Sequence, residues 1–324
     1  MNNSNEHNQV LQAANIIKQG GVVAFPTETV YGLGANAFNP IAVEKIFELK
    51  ERPSFDPLIV HLHSIEQLNL VSQDIDERVI KLAEKFWPGP LTIILKKSEN
   101  VPDIVTSGLN TVGVRIPNNL FALELIKLSD TPIAAPSANK FGRTSPTSAE
   151  HVKKYFNKVD FILDGGNTTV GIESTIIKLN EKGFDILRSG IITKEDIEKI
   201  VPYFKEELDY KNVYAPGMMK SHYSPKKPFY ILNEVILERI DKSKSGLISF
   251  SGQYDDGFKK VIKLTDSGNL RECAVNLFSA IHNLEDSDVS IMIAEPVPET
   301  GIGIAIMDRL RKATYNSMKE LNLI

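Results

Sequence analysis

A chain of 324 residues is longer than most single domains and can bury one large and one smaller hydrophobic core. Its residues are 42% hydrophobic and 24% charged, which excludes a disordered or fibrous protein, and no apolar run approaches the length of a membrane span. A net charge of -4 argues against a protein that coats nucleic acid by charge alone.

The N-terminus and the cysteine content indicate the compartment. The first ten residues, MNNSNEHNQV, carry neither the basic start nor the apolar stretch of a secretory signal. Cys273 is the single cysteine of the chain, so an internal disulfide framework and a cysteine-rich metal site are excluded. We therefore expect a cytoplasmic protein.

Hydrophobic periodicity predicts helices alternating with strands up to about residue 205. The predicted strands are 22–25, 58–62, 91–95, 111–114, 133–135, 161–163, 174–179 and 184–187. Helices are predicted over 74–86, 119–128, 148–156 and 193–200, besides one with Val10, Leu11, Ala14 and Ile17 on its buried face and one that begins at Asn39 and Pro40. Helices covering a twisted mixed sheet are the simplest arrangement of these elements.

The pattern changes after residue 205. Residues 206–228 are polar, contain prolines and show no sustained periodicity, which is typical of a linker. Strands are then predicted over 229–232, 246–250, 261–264 and 289–294, with helices over 270–284 and 303–312. The sequence thus predicts an α/β domain over 1–205, a linker over 206–228 and a smaller Rossmann-like α/β domain over 229–324.

The usual nucleotide motifs are absent from the sequence, which has no GxxxxGK[ST] and no GxGxxG between a strand and a helix. An anion would instead need loops in which cations and small residues lie together at strand ends. The loop 26–37, PTETVYGLGANA, is one candidate, since Gly32 and Gly34 allow close backbone approach and Thr27 and Thr29 supply hydroxyls. A tight turn packed by its own apolar residues is the alternative.

A second loop contains Lys50 and Arg52, which follow a helix that Pro53 ends. Two cations at a helix end are often simply solvated, but here a buried strand follows at once. His61 and His63 alternate on that strand and therefore share one side, which would suit two metal ligands. No further ligand lies near them in the sequence, and we favour one substrate-facing and one structural histidine.

Two more strand ends carry polar groups. Arg115 interrupts an apolar strand, and a buried cation is costly unless it meets a carboxylate of the protein or of a ligand. The loop 136–146, PSANKFGRTSP, concentrates small, hydroxyl and basic residues that core packing does not require. Neither a Ser/His/Asp triad nor a glycosidase pair of carboxylates stands out, so the predicted site is one that holds charge.

These loops together resemble the YrdC-like family of threonylcarbamoyl-AMP synthases. The resemblance covers PTETVYGLGANA, the KxR of Lys50 and Arg52, PLIVH, FWPGPLT, VGVRIP, APSAN and GIESTI, and thus nearly all of residues 1–205. The stretch APGMMKSHYSP and the domain after it resemble the longer, two-domain members. The resemblance implies a nucleotidyltransferase that makes threonylcarbamoyl-AMP and pyrophosphate from ATP, L-threonine and bicarbonate, for modification of the adenosine beside the anticodon of certain tRNAs.

The resemblance also implies roles for single residues. The family's KxR and SxN positions, expected to be catalytic, are Lys50, Arg52, Ser137 and Asn139. The expected ATP contacts are Lys50, Arg52, Asp56, Thr111, Ser137, Asn139, Ser145, Arg188 and Tyr223. The expected L-threonine contacts are Thr29, His61, Arg115, Ala135 and Ser174, with Arg115 on the carboxylate.

The sequence departs from the family pattern at two places. Asp56 stands where many relatives carry Asn, which puts a phosphate contact there in doubt. Met219 and Lys220 stand where relatives often show Lys and Tyr. We therefore expect the contacts of the linker, whose Tyr223 matches a residue that covers the site, to differ from those of the relatives.

The implied reaction brings anions together, because a carbamate of threonine attacks the α-phosphate of ATP. Basic side chains and Mg²⁺ carried on the ATP phosphates would lower this repulsion, and we expect no metal ligands from the protein and no tightly bound organic cofactor. The expected partners are ATP, L-threonine, bicarbonate and the proteins of tRNA threonylcarbamoylation, with weak tRNA binding and no membrane. No general base is evident, and His61 is a weak candidate.

Two other readings remain. A non-catalytic tRNA- or double-stranded-RNA-binding module would use the same cations on phosphates, but it needs many basic residues across one face. A carbamoyl transferase of a protein maturation pathway would use a related domain, but such proteins carry zinc-finger cysteines that this chain lacks.

Overall fold

The structure, a computed structural model, describes residues 4–206 and 215–321. Its strands are β1 Val23–Phe25, β2 Gly32–Asn36, β3 Ile59–His61, β4 Leu91–Lys96, β5 Thr111–Arg115, β6 Ile133–Ala134, β7 Phe161–Ile162, β8 Thr175–Asn180, β9 Gly183–Arg188, β10 Phe229–Ile231, β11 Ser245–Ser249, β12 Lys260–Lys263 and β13 Ile291–Ala294. Its helices are α1 Ser4–Lys18, α2 Pro40–Lys50, α3 Leu68–Val71, α4 Glu77–Phe86, α5 Asp103–Thr106, α6 Leu120–Ser129, α7 Ala149–Tyr155, α8 Lys194–Glu198, α9 Glu234–Arg239, α10 Leu270–Glu285 and α11 Ile302–Glu320. Within these two stretches no helix combines the length and the apolar character that crossing a membrane would require.

The first nine strands form one mixed sheet in the order β7-β1-β2-β6-β3-β5-β4-β8-β9. β3 pairs in parallel with β5, and β4 pairs in parallel with β8, whereas β4 and β5 are antiparallel. The register sets His61 of β3 opposite Arg115 of β5. The ends of these two strands therefore bring an imidazole and a guanidinium to the same place.

β2 lies within the segment that the sequence predicts to be a loop, 26–37. It pairs antiparallel with β1 and with β6, so this prediction is wrong for residues 32–36. The strand has the sequence GLGAN, which lacks the β-branched residues that signal a strand. Small residues are needed here because a Cβ on Gly34 would lie 2.6 Å from Cε1 of Phe25.

Helix ends follow the predicted capping signals. The side chain of Asn39 accepts hydrogen bonds from two backbone N–H groups at the start of α2, and Pro40 is the first helical residue. Thr193 and Asp196 form a capping box at α8, as the sequence predicts. On α1 the prediction fails at Leu11, which is 37% exposed, because the buried face instead includes Ala13.

The remaining four strands form a parallel sheet in the order β10-β13-β11-β12. Leu247 and Ile293 lie in one apolar cluster with Ile236 of α9. Ile248 and Met292 lie in another with residues of α10 and α11, so helices cover both faces. The predicted architecture, a twisted mixed sheet with flanking helices followed by a smaller α/β unit, is confirmed.

The two sheets pack through buried contacts across the connecting chain. Val30 and Ile172, from the first part, belong to the same apolar cluster as α10 and α11. The rings of His151 on α7 and His282 on α10 stack with centroids 4.0 Å apart. α10 and α11 therefore lie close to the loops at the strand ends of the first sheet.

Candidate active site

One pocket gathers most of the residues expected to bind substrates. It lies where β3 and β5 end, between the turn that precedes β2, the start of β8 and residues 216–223 of the linker. Nine of the fourteen expected residues line it: Thr29, Arg52, His61, Arg115, Ala135, Ser137, Ser174, Arg188 and Tyr223. The other five, Lys50, Asp56, Thr111, Asn139 and Ser145, do not. Three guanidinium groups from separate segments therefore reach one cavity.

Lys50 is held beside this pocket and not in it. Its side chain is buried, and its Nζ donates to the carbonyl oxygen of Ser137 at 2.6 Å and to that of Asn139. Burial lowers the pKa of the Lys50 ammonium well below its ordinary value, and the charge of Arg52 adds to this effect. Lys50 thus ties the end of α2 to the loop after β6.

The amide of Asn139 and the hydroxyl of Ser145 also lie outside the pocket lining. Asn139 Nδ2 donates to the carbonyls of Lys140 and Arg143, whereas its buried Oδ1 has no partner among the described residues. Ser145 Oγ donates to Glu173 at 2.5 Å. Both side chains support the loop that begins with Ser137.

Arg52 is fixed by its own loop. Its Nη2 lies 3.0 Å from Oδ2 of Asp56 and donates to the carbonyl of Pro57, and its Nε donates to the carbonyl of Asp56. Burial raises the pKa of the Asp56 carboxyl above its ordinary value, and the Arg52 charge opposes that shift. Asp56 therefore neutralises one of the three pocket cations.

Arg115 meets both a hydroxyl and a carboxylate. Its Nη2 donates to Thr29 Oγ1 at 3.1 Å and lies 3.7 Å from Oε2 of Glu28. Arg115 and Glu28 are 3% and 4% exposed, and neither carboxylate oxygen of Glu28 has a hydrogen-bond partner in the described residues. Glu28 is therefore the carboxylate that neutralises the buried Arg115. The Nε–H of Arg115 has no partner in the described residues, so the guanidinium can still donate to a ligand.

His61 lies on the pocket wall beside Arg115. Burial lowers the pKa of its imidazole well below the ordinary value, and the charge of Arg115 lowers it further. The imidazole is therefore neutral at neutral pH, and its Nδ1 has no partner in the parts of the chain that the structure describes. The same parts contain no group of three His, Cys, Asp or Glu residues that could hold a metal ion.

Arg188 bridges the sheet and the linker. Its Nε and Nη2 donate to the carbonyl and the hydroxyl of Ser174, at 3.0 and 3.1 Å. Its Nη1 donates to the carbonyl of Pro216 at 3.3 Å. A single guanidinium thereby fixes one pocket wall and the segment that covers it.

Glu173 and Arg309 belong to this site and were not singled out in the sequence. Arg309 of α11 is fully buried, and its Nε donates to Oε2 of Glu173 at 2.9 Å. Burial acts to raise the pKa of Glu173, but the charges of Arg309 and Arg188 outweigh it, so the pKa is lowered and the carboxylate stays ionised. The part of the pocket wall that contains Glu173 thus depends on a residue far along the chain.

The linker closes the pocket on its remaining side. Pro216, Gly217, His222 and Tyr223 line it, and the cavity that is left has a volume of about 50 Å³. Tyr223 has a positive φ of 64° and packs on Phe278. Residues 207–214 of the predicted linker lie outside the described residues.

His222 also lines the pocket and was not among the residues expected from the sequence. Burial lowers the pKa of its imidazole well below the ordinary value, and the charge of Arg52 lowers it further.

Thr111 lies apart from the other expected contacts. It begins β5 and Arg115 ends it, so at about 3.3 Å per residue they are separated by about 13 Å on the same side of the strand. Thr111 therefore lies outside the pocket, although its side chain is on the same side of the sheet as that of Arg115.

Comparison with known proteins decides the family. The model for Sua5, YciO and YrdC proteins, described as telomere recombination, matches residues 15–190. A second model, described as threonylcarbamoyl-AMP synthase, C-terminal domain, matches residues 192–314. The chain belongs to the Sua5/YciO/YrdC family.

Members of this family are similar over the whole chain. The threonylcarbamoyl-AMP synthase of Pyrococcus abyssi is 44% identical and that of Bacillus subtilis 42%, with 93% and 94% of this chain and 93% and 92% of those proteins covered. A crystal structure of Pyrococcus abyssi Sua5 complexed with L-threonine is similar with a TM-score of 0.86 at 43% identity, covering 95% of this chain and 94% of that one. The predicted family is therefore confirmed, including the longer, two-domain type.

Proposed function

We propose that this chain is the enzyme that makes threonylcarbamoyl-AMP and pyrophosphate from ATP, L-threonine and bicarbonate. The observation that carries the proposal is the convergence of Arg52, Arg115 and Arg188 on one pocket, together with the match of the whole chain to threonylcarbamoyl-AMP synthases. Buried arginines with free N–H groups suit a reaction between anions, because a site of low dielectric strengthens their interaction with developing charge.

Threonine would occupy the part of the pocket around Arg115. The guanidinium suits its carboxylate, and the hydroxyls of Thr29 and Ser174 with the neutral imidazole of His61 surround the same space. Ala135 forms a small apolar wall there. The neutral imidazole of His61 can accept a hydrogen bond from the substrate amine, and this contact is its proposed role.

The nucleotide would occupy the part around Arg52 and Arg188. Ser137 lines the pocket there, while Lys50 and Asn139 hold its loop and would bind phosphates once the carbonyls they now contact are displaced or shared. Ser145, which now donates to the Glu173 carboxylate, would contact another part of the nucleotide. Thr111 would contact the nucleotide only if the nucleotide extends along β5 from Arg115 towards Thr111. Mg²⁺ would enter with ATP as part of the substrate, because the carboxylates at the pocket are engaged with arginines.

In the proposed reaction the amine of threonine attacks the carbon of bicarbonate and water leaves, which gives a carbamate. A carbamate oxygen then attacks the α-phosphate of ATP, and the bond to pyrophosphate breaks. Lys50, Arg52 and Arg188 would stabilise the leaving pyrophosphate. Holding the reactants in one orientation contributes about 7 to 11 kcal/mol relative to free encounter. Residues of the described linker, Tyr223 among them, would exclude water from the carbamate and the mixed anhydride.

The closed linker must move before ATP binds, because a cavity of about 50 Å³ cannot hold a nucleotide. We therefore assign residues 1–205 to catalysis, 206–228 to a lid and 229–324 to a smaller unit that supports the lid. The two separate sheets support this division. The two family models meet between residues 190 and 192, within the stretch assigned to catalysis. The product would pass to cytoplasmic proteins that modify tRNA.

One assay tests the function. The purified chain is incubated with labelled ATP, L-threonine and bicarbonate, and pyrophosphate and a threonine-dependent adenylate are measured. Arg115→Met should abolish formation of the threonine-dependent adenylate, whereas Arg271→Met, at an exposed position of α10, should leave it unchanged. Retention of RNA without any adenylate would support the RNA-binding alternative, which the burial of the three pocket arginines disfavours.

A further inference from the structure

Thr92 on β4 lies directly behind Ser174 and is fully buried. Its Oγ1 is 2.8 Å from Ser174 Oγ. We propose that Thr92 is a positioning residue that fixes the direction of the Ser174 proton, so that Ser174 donates into the pocket and selects an oxygen of the bound amino acid. The inference deepens the proposed function and rests on it for the identity of the ligand.

The first step concerns the hydroxyl of Thr92. In residues 4–206 and 215–321, Ser174 Oγ is its single hydrogen-bond partner. If Ser174 donated to Thr92, the O–H of Thr92 would be a buried donor without an acceptor, at a cost of free energy. Thr92 therefore donates and Ser174 accepts.

The second step concerns Arg188, whose Nη2 lies 3.1 Å from the same Ser174 oxygen. A guanidinium has donors only, so Ser174 accepts again. A hydroxyl oxygen has two acceptor positions, and the two donors fill both. The Ser174 O–H is then free to point to the third direction, and Ser174 lines the pocket.

The consequence is a pocket wall with a fixed polarity. Ser174 presents a donor and no acceptor, next to the donors of Arg115 and Arg188. A carboxylate or carbamate oxygen satisfies this wall, whereas an N–H group would face a proton and remain unpaired. Thr92, which does not itself line the pocket, would thus contribute to the selection of an acid over its amide.

The experiment uses the full chain and measures the affinity for L-threonine and for L-threoninamide by calorimetry. Thr92→Val keeps the shape of the side chain but removes the donor, so one acceptor position of Ser174 opens. We expect threonine to bind about fivefold more weakly and the preference for threonine over threoninamide to fall. Thr92→Ser keeps the donor and should keep both the affinity and the preference.

Thr106→Val is the matched control, because Thr106 is equally buried and its hydroxyl contacts the carbonyl of Asp103 away from the pocket. It should bind both ligands as the parent does. Unchanged affinity and preference in Thr92→Val, or a Thr92→Ser variant that behaves like Thr92→Val, would overturn the inference. Formation of the adenylate by the parent is measured separately, so its absence counts against the proposed function even when these binding results hold.

Discussion

Arg309 of α11 donates from Nε to Oε2 of Glu173 at 2.9 Å, which joins the smaller unit of the chain to a wall of the pocket. The other carboxylate oxygen of Glu173 accepts from Ser145. The guanidinium carbon of Arg309 also lies 5.4 Å from the centre of the Tyr223 ring. The smaller unit therefore supports a wall of the pocket through a buried ion pair, although none of its residues lines the pocket.

Replacement of Arg309 should remove the ion pair that joins α11 to Glu173 in the pocket wall. We expect Arg309→Met to lower the free energy of unfolding by about 3 kcal/mol, because buried Glu173 loses its ion-pair partner and keeps only the Ser145 hydrogen bond and the charge of Arg188. The double variant Arg309→Met with Glu173→Gln should regain most of this stability but not the turnover. Denaturant unfolding and pyrophosphate release measure the two effects. Equal stability losses in the single and double variants would show that the pair is not coupled.

Asp56 should weaken the binding of ATP. Its carboxylate neutralises Arg52 at 3.0 Å, whereas Asn would keep a polar contact without the charge. At an effective dielectric constant of about 20, one charge at about 10 Å changes the interaction with a phosphate by more than 1 kcal/mol. Asp56→Asn should therefore lower the KM for ATP by about fivefold.

The control for this prediction is Asp74→Asn, an exposed acid paired with Lys96. Its KM for ATP should equal that of the parent. An unchanged or higher KM in Asp56→Asn would mean that the carboxylate has a role other than screening Arg52.

The stacked pair of His151 and His282 should make the contact between the two units sensitive to acid. Burial lowers the pKa of His151 to about 4, with a contribution from Lys154, and burial and His151 lower that of His282 to about 3. Both pKa values lie below that of an unfolded histidine, which is about 6.5. At pH values between these folded and unfolded pKa values the unfolded chain binds more protons than the folded chain. Stability should thus fall as the pH drops from about 6.5 towards 4.

Each histidine can contribute a slope of up to about 1.4 kcal/mol per pH unit in that range. The charges next to the pair, Lys154 and Asp286, form an ion pair and largely offset each other. His151→Phe with His282→Phe should make the dependence less steep and leave the part that buried His61 and His222 contribute. His7→Gln, on the exposed face of α1, should leave the dependence unchanged. If the free energy of unfolding of the double variant and of the parent fell equally steeply with falling pH, the histidine pair would not be the cause.

The sequence predicts the strands with apolar runs but not β2, because periodicity cannot recognise a buried strand of GLGAN. Polar residues at predicted strand ends, such as His61 and Arg115, line one pocket because β3 and β5 are parallel neighbours and end together. The same logic could not find Arg309, which is separated from Glu173 by 136 residues and reaches it only through packing of the two units. The sequence also could not show that the ammonium of Lys50 donates to the backbone carbonyls of Ser137 and Asn139.

Lys312 should hold the linker over the pocket. Its Nζ donates to the carbonyl of Gly217 at 2.7 Å and lies 2.7 Å from Asp308, while its own carbonyl accepts from the N–H of His222 at 3.2 Å. Lys312→Met removes the side-chain contacts and keeps the backbone one, so the fold should persist. We expect faster hydrogen exchange over residues 215–224 and a turnover lowered by about tenfold, because water enters and the carbamate is lost.

Lys319→Met is the matched control, since Lys319 is exposed in the last turn of the same helix. It should alter neither hydrogen exchange nor turnover. The lost turnover of Lys312→Met should recover in part at high bicarbonate, because a higher concentration replaces carbamate that escapes. Faster exchange over 215–224 with full turnover at low bicarbonate would show that closure by the linker is not needed for the reaction.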